Sequence, residues 1–123
     1  MRTALITGAS GFCARHLAKR LSSEEGTLII GADWVPPADG ESVFDDFARL
    51  DLSEFTQVFE LLRRVRPNLV FHLAGIQQGE AKDIYRTNVM GAVHLLEAVR
   101  QVCHSARVLL VGSAAEYGFV GKN

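Results

Sequence analysis

Cysteine is scarce in this chain. Cys13 and Cys103 are the only two, far apart and outside any CxxC spacing, which argues against a disulfide framework or a thiolate metal site and fits a reducing cytosol. An excess of either charge is missing as well. Thirteen basic and 14 acidic residues leave a net charge of -1, so electrostatics gives no reason to expect nucleic acid or an anionic membrane as partner. No apolar run reaches the roughly 18 residues of a membrane span, and Met1-Arg2 leads into a short strand rather than a signal peptide. His16, His72, His94 and His104 show no i, i+4 pairing and no nearby acidic cluster, so no metal site is expected. His72 reads as packed within a strand, the other three as surface or helix-flank residues, and Cys13 as a small buried thiol. What is present, 123 residues with 48% hydrophobic and 22% charged side chains, suits one domain spanning residues 1–123 and a small-molecule partner.

Apolar runs at 3–7, 27–32 and 69–74 read as strands buried on both faces, with a weaker strand at 47–50 and a fifth at 107–111. Between them lie helical patterns. Ala14, Leu17, Ala18 and Leu21 share one face; Phe55, Val58, Phe59 and Leu62 share another, with Ser53 or Asp51 as cap and Pro67 as stop. Residues 81–103 carry two apolar lines, Val89-Ala92-Val93-Leu96 and Ile84-Gly91-Leu95-Ala98-Val102, which predict burial over a wide arc. Residues 34–46, with Pro36, Pro37 and Gly40, read as a loop. Strands alternating with helices predict an α/β fold: a doubly wound parallel sheet of about five strands covered by helices on both faces.

In such a sheet the ligand sits where strand order reverses, beyond the carboxyl ends of the strands. Gly8-Ala9-Ser10-Gly11 occupies the loop after the first strand. Glycines let a pyrophosphate approach the backbone, and the following helix start offers free N–H groups and a favourable dipole. Asp33 ends the second strand 25 residues after Gly8. A carboxylate there accepts the ribose hydroxyls of NAD and repels the 2'-phosphate of NADP. A plain turn and a solvated loop aspartate are the alternatives for these two features, and Asp51 could instead open a helix cap with Glu54. Arg63, Arg64 and Arg66 suit a helix carboxyl end.

The order of Gly8-Ala9-Ser10-Gly11-Phe12, Asp33, Asp51-Leu52, His72-Leu73-Ala74-Gly75, Asn88-Val89-Met90-Gly91 and Gly112-Ser113-Ala114-Ala115-Glu116-Tyr117-Gly118 resembles the extended short-chain dehydrogenases/reductases. The whole chain is similar to the amino-terminal Rossmann portion of the NAD-dependent epimerase/dehydratase group, whose substrates are commonly nucleotide sugars. That resemblance implies NAD as cofactor, with Gly8, Ser10, Gly11 and Phe12 at the pyrophosphate turn, Asp33 at the adenosine ribose, and Asp51 and Leu52 beside adenine. It further implies that Leu73, Ala74 and Gly75 line the cofactor, that Asn88 braces the long helix, and that Ser113 is the catalytic Ser/Thr that hydrogen-bonds the reacting substrate oxygen.

Four departures bear on activity. Ala14 stands where a third glycine is usual, small enough for close packing. Ala114 and Ala115 stand where dehydratases of the group carry an acid, which disfavours dehydration and leaves epimerisation or reduction. The segment 76–83 is short beside many relatives. Finally, the family's Tyr-x-x-x-Lys pair, whose lysine lowers the tyrosine pKa for acid/base work, is not found before Asn123; Tyr117 and Lys122 are five apart and flanked by glycines. The expectation is a cytoplasmic NAD-binding portion of a nucleotide-sugar epimerase or 4-keto-sugar reductase, inactive by itself. The two apolar lines of the 81–103 helix leave one face for another helix, supplied either by further sequence or by a second subunit in a homodimer. The alternative is a non-catalytic NAD-sensing or scaffolding module.

Overall fold

Ala4, Leu5, Ile6 and Thr7 are completely buried, which places their strand at the centre of a sheet. The computed structural model describes residues 1–38, 42–118 and 121. Its strands are β1 (Arg2–Thr7), β2 (Thr27–Asp33), β3 (Asp46–Arg49), β4 (Leu69–His72) and β5 (Arg107–Leu110). They form one parallel sheet in the order β3-β2-β1-β4-β5. The chain therefore runs outward from β1 to β3, returns to the other side of β1 as β4, and reverses direction there, so the β1–β4 boundary is the topological switch point.

The period-two alternation of the strands sends side chains to two cores. Ala4, Ile6 and Ile29 face α1 (Phe12–Leu21), packing with Ala14, Ala18 and Leu21. Leu5, Ile30 and Val70 face the other way, onto Val58, Leu61 and Leu62 of α2 (Phe55–Val65) and Leu95, Ala98 and Val99 of α4 (Gly91–Val102). Helices thus cover both faces, as the sequence predicts. A short α3 (Ala81–Ile84) and a π-helical turn (Tyr85–Met90) lead into α4, and a 3-10 turn (Ala114–Tyr117) comes after β5.

Several expectations need correction. β4 ends at His72, not at residue 74, because its partners β1 and β5 supply register positions only as far as Thr7 and Leu110; Leu73 and Ala74 are thereby freed from the ladder. α2 starts after Glu54 with no side-chain cap bond, since the carboxylate of Asp51 turns instead to Ser53. Cys13 is exposed: it precedes the buried Ala14 by about 100° of helix rotation and points away from the sheet. On the long helix only one apolar line is covered. Gly91, Leu95 and Ala98 are buried, whereas Val89, Val93 and Leu96 are 47%, 50% and 40% exposed, because no described element packs over that side. The 34–46 loop is described only in part, and Gly40 and Lys122 lie outside the described residues.

Candidate functional site

The turn after β1 is built by backbone geometry. Gly8 has φ +71°, a left-handed conformation that side chains resist. Its carbonyl accepts the Gly11 N–H at 2.9 Å, and the Ala9 N–H donates to the Ala32 carbonyl at 3.2 Å, tying the turn to β2. Space is the second constraint. A Cβ on Gly8 would lie 2.8 Å from the Ala74 nitrogen and 2.9 Å from the Leu73 carbonyl carbon, so the turn sits directly against the chain leaving β4. Gly11 is the N-cap of α1 and has no side chain to cap it, so the first-turn N–H groups of this ten-residue helix are available to water or to an anion.

Asp33, at the end of β2, is already engaged with this turn. The N–H and hydroxyl of Ser10 both donate to Asp33 Oδ2, at 3.0 and 2.6 Å, while Oδ1 takes only a long bond, 3.4 Å, from the Val35 N–H. One carboxylate oxygen positions the turn and the other remains free to accept a hydroxyl. Beyond β3, Asp51 Oδ1 accepts from the N–H and hydroxyl of Ser53 at 2.9 and 2.7 Å, an Asx turn that presents Leu52. The Leu52 carbonyl in turn accepts from His94 Nδ1 at 2.7 Å.

On the β4 side, Thr7 Oγ1 lies 2.8 Å from Nδ1 of buried His72 and accepts the Ala74 N–H at 3.3 Å. Burial pushes the His72 pKa below its ordinary value, so this pair is uncharged near neutral pH. Asn88, in the π-helical turn, makes two 2.8 Å bonds with Ile76: its Oδ1 accepts the Ile76 N–H and its Nδ2 donates to the Ile76 carbonyl. The segment after β4 is thus fastened at Ala74 by Thr7 and at Ile76 by Asn88.

These pieces surround a cleft of about 510 Å³, within the range of small-molecule and cofactor sites. Gly8, Ser10 and Gly11 line one wall, Asp33, Asp51 and Leu52 a second, and Leu73, Ala74 and Gly75 a third. The remaining sequence candidates lie outside that lining. Asn88 acts behind the wall through Ile76. Phe12 is 79% exposed, packs against His16 with the rings tilted by 57° and their centroids 4.4 Å apart, and borders a separate hollow. Ser113 is exposed and caps the 3-10 turn, accepting the Ala115 N–H at 3.1 Å while its own N–H donates to Glu116 at 3.1 Å.

Sequence reasoning missed Trp34, Ser53, Asp83, Arg86 and Thr87, which also line the cleft. The signal for Trp34 was its place directly after Asp33. For Arg86 and Thr87 it was a polar pair immediately before Asn88, interrupting the apolar lines of that helix.

Residues 4–123 match the family described as the NAD dependent epimerase/dehydratase family. Among curated proteins the chain is 33% identical over 116 residues to a dTDP-6-deoxy-L-talose 4-dehydrogenase (NAD(P)(+)) of Kitasatospora kifunensis, covering 92% of this chain and 36% of that protein. It is 30% identical over 120 residues to a CDP-glucose 4,6-dehydratase of Salmonella typhimurium, covering 88% and 33%. Among solved structures, the UDP-glucose 4-epimerase of Brucella ovis in complex with NAD superposes with a TM-score of 0.82 at 25% identity, covering 99% of this chain and 39% of that one. The chain therefore spans little more than a third of the length of the proteins it resembles.

Proposed function

Because this chain belongs to the NAD dependent epimerase/dehydratase family, we propose that it forms the NAD-binding portion of an enzyme that epimerises a nucleotide sugar or reduces its 4-keto form. The observation that carries this reading is the meeting, at the β1–β4 switch point, of an uncapped helix start, the close-packed Gly8 turn and the half-engaged Asp33 carboxylate. NAD, when bound, supplies the carrier for hydride exchange with the sugar.

Each residue has a defined task in that reading. The first-turn N–H groups of α1 hold the pyrophosphate, with Arg86 across the cleft as a compensating cation. Asp33 Oδ1 accepts a ribose hydroxyl, and Asp51 and Leu52 border the adenine. Leu73, Ala74 and Gly75 form the wall toward the nicotinamide, held in place by Thr7 and Asn88. The Ser113 hydroxyl accepts from Ala115, which leaves its own proton to donate to a substrate oxygen. Ala114 and Ala115 beside it favour epimerisation or reduction over water elimination. The exposed line Val89, Val93 and Leu96 supports assembly of two copies through residues 81–103 in the cytosol, and sedimentation equilibrium tests it: a Val93→Asp chain stays monomeric at concentrations where the parent dimerises.

Calorimetric titration of the chain with NAD into the millimolar range tests the central reading. Saturable heat is expected. A flat titration of a demonstrably folded sample removes it.

A further inference from the structure

Trp34 is the single tryptophan of the chain and comes directly after the Asp33 that ends β2. It is 54% exposed, yet it lines the cleft. An indole this open would ordinarily be free to swing, but it is pinned: the Arg49 guanidinium carbon stands 4.5 Å from the ring centroid. β2–β3 pairing sets up this contact, since Arg49 is the register partner of Asp33. Arg49 itself does not line the cleft. It borders a shallow depression on the neighbouring surface, beside Gln57 and Arg64, and among the described residues it forms no ion pair. One side of the indole is therefore occupied by a cation while the ring contributes to the wall of the cleft.

The position along the cleft identifies what that wall meets. A carboxylate at Asp33 fixes the adenosine ribose, and next to it on the β3 side the cleft is lined by Trp34, Leu50, Asp51, Leu52 and Ser53, of which Trp34 alone offers an aromatic face. Asp83 and Arg86 lie on the opposite, helical side. We propose that Trp34 is the stacking platform for the adenine ring of the dinucleotide, held upright by Arg49. Aromatic faces stack purines without demanding a particular hydrogen-bond pattern, and a cation on the outer face adds a fixed partner that keeps the ring from collapsing into the cleft. Trp34 and Arg49 are positioning residues for the cofactor, distinct from the phosphate-binding turn and from Asp33. This proposal rests on the reading that the cleft binds NAD.

Because Trp34 is the only indole, its fluorescence reports the contact directly. The experiment titrates the 123-residue chain with NAD, ADP-ribose and nicotinamide mononucleotide, measuring tryptophan emission and calorimetric heat in parallel. NAD and ADP-ribose are expected to quench the emission saturably, and nicotinamide mononucleotide at the same concentrations is not. Trp34→Ala is expected to weaken NAD binding roughly tenfold, Trp34→Phe to stay within about threefold because a π face is retained, and Arg49→Gln to fall between them. NAD binding in the calorimeter without any change in emission overturns the proposal and leaves the cofactor reading intact; so does an Ala variant that binds as tightly as the parent. Absence of heat with the parent chain removes the cofactor reading and the proposal together. The comparison of the two half-cofactors uses the unsubstituted chain, so it stands even if a variant misfolds.

Discussion

Thr7 and His72, facing each other across the β1–β4 pair, share a 2.8 Å hydrogen bond in a region closed to solvent. Thr7 Oγ1 already accepts the Ala74 N–H, so the arrangement that satisfies all three groups has the hydroxyl donate to Nδ1 and the imidazole proton on Nε2. That arrangement requires neutral His72, and burial lowers its pKa accordingly. A histidine depressed in the folded state binds its proton preferentially when unfolded. Stability is then fully present above the ordinary value of 6.5 and is lost as the pH falls below it toward the depressed folded value. Urea midpoints measured between about pH 7.5 and 5 should decline more steeply for the parent than for a His72→Gln chain. Equal slopes would mean that His72 contributes nothing to the acid sensitivity.

Gly8→Ala combines two penalties at one atom. The backbone conformation is unfavourable for alanine, and the new methyl carbon would sit 2.8 Å from the Ala74 nitrogen, main chain that the Thr7–His72 pair holds in place. A loss of about 2 kcal/mol or more is expected, together with weakened NAD binding as the turn moves off β4. Gly26→Ala is the control: its φ is also positive, at +73°, but no atom lies within 4 Å of the added carbon. It should cost only the conformational part, about 1 kcal/mol, and leave cofactor binding unchanged. If the two variants unfold at the same urea concentration, the close approach to β4 is not what the glycine serves.

Much of the candidate cleft's lining was legible because its physics is local. The glycine turn and Asp33 are dictated by a strand running into a helix, and the alternation of apolar strands with amphipathic helices dictates a covered parallel sheet. The features that escaped depend on register or on tertiary packing. Trp34 acquires its neighbour only through the pairing of Asp33 with Arg49 across two strands, and no spacing along the chain announces that pairing. Two apolar lines on the 81–103 stretch looked equally fit for burial, but Leu95 and Ala98 meet the sheet and α2 while Val93 and Leu96 face a side that no described element covers; which line is covered depends on tertiary packing, not on spacing. Leu73 and Ala74 read as strand from composition, but a strand ends where its partners do.

Asn88 holds Ile76 by both ends of its amide, and this double contact separates the effects of two substitutions. Asn88→Asp keeps an acceptor for the Ile76 N–H but sets an oxygen against the Ile76 carbonyl, whereas Asn88→Ala loses both bonds. Each variant should lose about 1 kcal/mol of stability, with the Asp variant recovering at acid pH as its carboxyl gains a proton to donate. Thermal melts of both at two pH values check this. Identical pH dependence in the two would deny the bond from Nδ2.

Arg66 ends α2 in the left-handed conformation, φ 44° and ψ 60°, while its N–H donates to the Leu62 carbonyl at 2.8 Å. Glycine is the residue suited to that position. Its exposed side chain and its place just before Pro67 make Arg66→Gly a stabilising change of up to about 1 kcal/mol, readable as a higher urea midpoint. The substitution also takes a cation from the vicinity of Cys103, whose thiol pKa is pushed up by burial and drawn partly back by Arg66. Thiol reactivity toward a disulfide reagent near neutral pH should therefore fall in the same variant.

Ser10 and a bound ribose call on different oxygens of the Asp33 carboxylate. Ser10 donates twice to Oδ2, which fixes the turn, and in the proposed reading a ribose hydroxyl takes the acceptor capacity left on Oδ1. Asp33→Ala removes both functions, so NAD affinity should fall roughly tenfold or more, and the advantage of NAD over NADP should narrow because the charge opposing a 2'-phosphate is gone. Ser10→Ala removes the hydroxyl bond but keeps the carboxylate and the backbone N–H at position 10. That variant should bind NAD within a few-fold of the parent and retain the full discrimination against NADP, since the repelling charge is untouched. Parallel calorimetric titrations of the three chains with each cofactor separate the two roles. If Asp33→Ala retains its preference, the discrimination comes from elsewhere in the cleft and Asp33 serves only to hold the turn through Ser10.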